Sequence, residues 1–158
     1  MAMEDNIGLK GHVKIDHNGL NVVDTYNTVV TLGKEAFARG VVSGGYAAVN
    51  PAGWMAIGTG SDTIVVGDTT LATEYFREGP ETGATGSVTG STTTTTETND
   101  TARWIGSFGI DATKTVNEAG IFNLSGLDLG SMTARTAFAD IAAISGDQIN
   151  ITWDIAVA

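Results

Sequence analysis

Glu118 stands in the stretch Val116-Asn117-Glu118-Ala119-Gly120-Ile121-Phe122-Asn123, a carboxylate and a glycine among residues that otherwise suit a strand. A carboxylate beside a glycine is one way to let a substrate approach an acid, so catalysis is the first reading to weigh. Glycoside hydrolysis needs two carboxyl groups held several Å apart across a cleft. Asp111, Asp140 and Asp154 are the conceivable partners for Glu118, and no spacing singles out any of them. Trp54, Trp104 and Trp153 sit at alternating strand positions, which suits a core better than a sugar-stacking platform.

Other chemistry-bearing residues are sparse. His12 and His17 are five apart, so an alternating strand sends them to opposite faces and they do not converge on one metal. Asp62, Asp68 and Asp128 lie in Gly/Thr loops that could offer oxygens to calcium, but they lack the dense, fixed spacing of an EF-hand. Gly58-Thr59-Gly60 is not followed by Gly-Lys-Ser/Thr and reads as a strand-to-loop turn, not a phosphate loop. No Gly-x-Ser-x-Gly elbow starts an acyl transfer. With no cysteine, a disulfide, a thiolate nucleophile and a thiolate metal site are excluded. The expectation is a non-enzymatic chain that needs no cofactor and no metal.

The elements that would position these residues are short strands. Twenty-one glycines, two prolines and many threonines point away from helical bundles and toward an all-β domain with many turns. At 158 residues the chain is one domain and long enough to bury a full core. Eighteen acidic residues against eight basic ones leave a net charge of −10. A phosphate backbone demands a basic patch, so nucleic acid and anionic membrane surfaces are not expected partners. No apolar run approaches a membrane span, and "MAMEDNIGLK" lacks the apolar segment of a signal peptide, so a soluble protein is expected. Sequons at Asn99, Asn123 and Asn150 would matter only in a glycosylating pathway.

Along the chain, "GHVKIDHNGL" alternates and then reaches Asn18-Gly19, the strongest short hairpin signal because both turn positions need positive φ. Leu32, Ala36 and Phe37 recur at helical spacing, with Thr31 as a possible cap and Gly40 or Gly44-Gly45 as the stop, which predicts one short helix. Trp54 to Ile57 reads as a buried strand, and "TTLATEYFRE" as a strand or an irregular turn. The threonine run before Asn99-Asp100 reads as an edge strand with a turn after it, since threonine fits a half-buried pleated surface. In "DQINITWDIAVA" Ile149, Ile151, Trp153, Ile155 and Val157 share one face, the clearest strand of all. The sum is a sandwich or jelly-roll-like barrel of about seven to nine strands with one short helix. Residues 1–9 are expected as an N-terminal arm and residues 10–158 as the single domain.

The order of the motifs adds a resemblance. "NTVVTLGKEAFAR", "WMAIGTGSDT", "DTTLATE", "TNDTARWIGSF", "VNEAGIFN", "MTARTAFADI" and "DQINITWDIAV" follow one another over nearly the whole chain. This succession resembles a family of small β-rich virion structural proteins of tailed bacteriophages, found on capsid surfaces and in tails. Ile121 stands where leucine is commoner in that family, and the Gly/Thr stretch before Asn99 is longer. The resemblance implies a virion protein, first a capsid decoration (cement) protein on the head surface. Its partner would be the major capsid protein or another virion protein, and it would self-associate symmetrically, for instance as a trimer. A tail, baseplate or fibre component is the second expectation, and a carbohydrate-binding module or glycosidase the third.

In that setting Gly58, Gly60, Glu118, Gly120, Arg135 and Trp153 are expected as structural residues. Gly120 reads as a bulge or a place of close backbone approach. A hairpin that puts Asn123 opposite Gly130 also puts Glu118 opposite Arg135, a cation for the carboxylate.

Overall fold

The computed structural model describes residues 8–42, 53–80, 86–94 and 100–157. Nine strands and one helix follow in chain order: β1 (Leu9–His17), β2 (Leu20–Val29), α1 (Thr31–Val42), β3 (Trp54–Gly58), β4 (Glu74–Glu78), β5 (Gly86–Thr93), β6 (Thr101–Gly109), β7 (Lys114–Phe122), β8 (Met132–Ala143) and β9 (Gln148–Val157). They form one sheet in the order β4-β3-β7-β8-β2-β1-β9-β6-β5, with every laddered pair antiparallel. The sheet curls into a nearly closed, barrel-like wall, which is the sandwich- or barrel-like all-β architecture expected from the sequence. β1 begins at Leu9, inside the expected arm, and residues 1–7 lie outside the described ones.

Asn18 (φ 51°) and Gly19 (φ 82°) make the two-residue turn between β1 and β2, as their side-chain chemistry requires. β9 lies at the centre of its half of the barrel between β1 and β6, and Ile149, Ile151, Trp153 and Ile155 fill the interior from it. Val157, at its end, is 39% exposed and leaves that face. Phe108, Ile15, Ile57 and Ile121 complete the lumen, while Asn150, Thr152 and Asp154 point outward. Along β9 the wall is thus apolar on its inner face and polar on its outer face. Among the described residues no helix is long and apolar enough to cross a membrane.

α1 packs on β8 through Gly33, where a Cβ would lie 2.1 Å from the Thr133 carbonyl oxygen. Leu32 and Ala36 are half-buried, but Phe37 is 41% exposed, so the helical apolar stripe is only partly used. Thr31 does not spend its hydroxyl as a cap: Oγ1 donates to the Val66 carbonyl at 3.0 Å, and Val30 accepts the first helical bond from Lys34 N–H. Gly44-Gly45, Asn99 and part of the threonine run lie outside the described residues. The described part of the run is β5, which ladders with β6 alone. "TTLATEYFRE" divides into irregular chain and the strand β4.

Candidate functional site

The outer face of β3, β7 and β8 is covered by the 59–73 loop, and Glu118 lies beneath it. How Glu118 comes to point outward is a matter of parity. On an unbroken strand Val116, Glu118 and Gly120 would share a face. The β7–β8 register shifts between Val116 and Glu118, so Val116 stays in the lumen with Ala119 and Ile121 while Glu118, Gly120 and Phe122 turn outward. That bulge is what makes a carboxylate available under the loop.

Glu118 is fully buried and engaged at both oxygens. Its Oε1 accepts from the backbone N–H of Gly60 and of Thr73, each at 2.9 Å. Its Oε2 accepts from Ala72 N–H at 3.0 Å and from Arg135 Nη2 at 2.8 Å. Arg135, 3% exposed in its side chain, gives Nη1 to Asp68 Oδ2 at 2.7 Å, and Asp68 also accepts from Val65 N–H at 3.1 Å. The two ends and the middle of the loop thus converge on one carboxylate–guanidinium–carboxylate chain. Charge-assisted bonds of this kind are stronger than neutral ones, and removing one member would strand a buried charge.

Gly58 and Gly60 make room for that carboxylate. A Cβ would come 2.6 Å from Glu118 Oε1 at Gly58 and 2.5 Å from it at Gly60. At Gly120 a Cβ would stand 3.0 Å from Phe122 and 3.1 Å from Leu71 and Met132, so the glycine lets Leu71 of the loop pack against the sheet. Glu118 and Arg135 meet, but not by the expected register: Arg135 is opposite Gly120 and Glu118 opposite Ala137. The pair is diagonal on one face, two residues from direct opposition, because the 123–131 connection closes one residue out of the expected register and the shift between Ile121 and Phe122 adds a second.

A second buried pair holds the β7–β8 connection, residues 123–131. Arg77 and Glu74 on β4 form a two-pronged contact at 2.7 and 2.6 Å, with side chains 1% and 0% exposed. Arg77 Nη1 donates to the carbonyls of Leu124 and Leu129, each at 2.8 Å, and the guanidinium lies 3.8 Å from the Phe122 ring centroid. Glu74 Oε2 accepts Asp128 N–H at 3.1 Å. Sequence reasoning missed this pair. Its signal was a glutamate and an arginine flanking Tyr75-Phe76, a stretch too apolar to leave both charges in water.

The carboxylates weighed as catalytic partners are dispersed. Asp154 faces Arg103 across β9 and β6 with two bonds of 2.7 Å. Asp140 accepts from Asn117 at 3.1 Å, and Asp111 accepts from the Tyr75 hydroxyl. None of them shares a cleft with Glu118. His12 lies 2.7 Å from Asp24, and His17 lies 2.8 Å from Asp147 at the other end of β1. Asp68 is taken by Arg135, and Asp62 and Asp128 sit in different loops. Among the described residues no three His, Asp or Glu side chains gather as a cation site. Trp153 is buried at the lumen centre. Compared with protein-family models, curated proteins and solved structures, the chain matches none.

Proposed function

We propose that this chain is a virion structural protein of a tailed bacteriophage, a decoration protein that binds the assembled head and stabilises it. The observation that carries the reading is the convergence of separate motifs on Glu118. "AIGTG" contributes Gly58 and Gly60, "TTLATE" contributes Leu71, Ala72 and Thr73, "NEAGIFN" contributes Glu118 and Gly120, and "TAR" contributes Arg135. Motifs up to 77 residues apart in number, from Gly58 to Arg135, thus describe one physical object. That the motifs meet in a single loop clamp supports reading them as one series, and the resemblance to phage virion proteins rests on that series.

The partner is then the major capsid protein or another virion protein. Binding stabilises only what is bound, by mass action. Shells carrying the chain are expected to survive heat or osmotic shock better than stripped shells, and added protein should restore resistance saturably. Equal robustness of stripped and decorated shells, with the chain found at the tail in a handful of copies, would replace the head reading by the tail reading.

A further inference from the structure

The 123–131 loop exposes Leu124, Leu127 and Leu129 by 41%, 53% and 59%. Three leucines within six residues is not ordinary scatter of apolar side chains over a surface. Nor is the loop slack. The buried Arg77 grips the carbonyls on either side of its tip, Glu74 holds the Asp128 amide, and Asn123 Oδ1 accepts Ser131 N–H at 2.7 Å. Leu129 N–H closes on the Gly126 carbonyl at 3.1 Å. Asp128 is kept at φ 55°, a turn conformation that Asp and Asn adopt more readily than other non-glycine residues. A buried ion pair is a costly way to hold a loop that has no further task.

We infer that this loop is a preformed docking element for another virion protein, with Leu127 and Leu129 entering an apolar cleft and Asp128 meeting a cation at its rim. The inference rests on the proposed virion function and says which part of the chain makes contact. Asp128 is exposed between two exposed leucines, so the occupant must bury apolar surface and answer one negative charge. A basic rim also suits the chain as a whole, whose net charge is −10. Its Arg77, Arg103 and Arg135 are each spent on an internal carboxylate. A second copy of the same loop would instead bring Asp128 against Asp128. Rigidity serves affinity here, because a loop already fixed loses little conformational freedom when it binds.

The test uses the full chain against stripped shells and isolated tails, in wild-type form and as Leu127→Ser/Leu129→Ser and Asp128→Asn. Asparagine tolerates the same positive φ, so Asp128→Asn keeps the loop, and unchanged thermal melts should verify folding of both variants. Wild type is expected to bind shells. The double variant should bind at least about tenfold more weakly, and Asp128→Asn should bind more weakly with a shallower salt dependence. Variants that bind shells as wild type does would overturn the docking loop and leave the head reading standing. Loop-dependent binding to tails alone would sustain the docking loop and overturn the head location. No binding to either particle would overturn both. Sedimentation showing wild-type oligomers that the double variant dissolves would also overturn the inference, since the occupant would be a second copy.

Discussion

Each oxygen of Glu118 accepts two hydrogen bonds, and that arrangement tells what a change there would do. Glu118→Gln keeps the shape but replaces the anion that faces Arg135, leaving a buried guanidinium short of charge. Breaking a buried pair from one side costs about 3–5 kcal/mol, so denaturant unfolding of Glu118→Gln should show a loss of that order. Gly60→Ala presses a methyl against the same carboxylate and should cost about 1–3 kcal/mol, as overpacking does. Trp153 separates two contributions. Its ring is fully buried while Nε1 has no hydrogen-bond partner. Trp153→Ala should lose about 3–5 kcal/mol, whereas Trp153→Phe should lose much less, because no hydrogen bond goes with the indole. Asp147 sets an acid limit. Bonds from Asn18, the Ile144 N–H and His17 hold its carboxyl down from 3.8 to about 2. A depressed carboxyl stabilises the fold above its unfolded value and ceases to do so as pH falls through the folded one. The melting temperature of wild type should therefore drop as pH falls from 3.8 toward 2, and Asp147→Asn should flatten that part of the profile.

At the level of elements, what could be read from residue order and what could not divide along sequence distance. The Asn18-Gly19 turn and the alternation of β9 depend on neighbours, and both are where pattern alone puts them. The β7 irregularities depend on β8: the connection and the shift beside Phe122 move the Glu118–Arg135 contact by two residues, and the bulge beside Val116 turns Glu118 to the outer face. Local spacing carries no information about such a shift. The 59–73 loop was legible only as glycine and threonine, because its order comes from a carboxylate some 45 residues later in the chain. Glu74 and Arg77 left a local trace as opposite charges flanking Tyr75-Phe76, but what buries them is distant, since the carbonyls that Arg77 holds belong to Leu124 and Leu129. α1 marks the converse case. Its periodicity is real, yet Phe37 is exposed, since Gly33 sets how the helix meets β8.

For the molecule as a whole, the strand count has a consequence. Eight antiparallel steps lead from β4 to β5, so the two end strands run the same way, and an odd barrel has no antiparallel way to finish. They meet end to start: Val88 N–H donates to the Gly79 carbonyl at 2.8 Å, just past the close of β4 and near the opening of β5. Among the described residues no ladder joins them. Such a wall behaves as a split ring. Its girth can widen at that slit while the eight ladders stay intact, and the thinnest of those ladders is β2–β8, with only Thr28–Arg135 and Val29–Ala134 paired. Native-state hydrogen exchange should register this as a gradient, with the Val88 amide exchanging through openings too small to release β9, and β9 amides exchanging only when the whole chain unfolds. Equal protection of Val88 and Ile151 would mean that the slit is as firm as the wall.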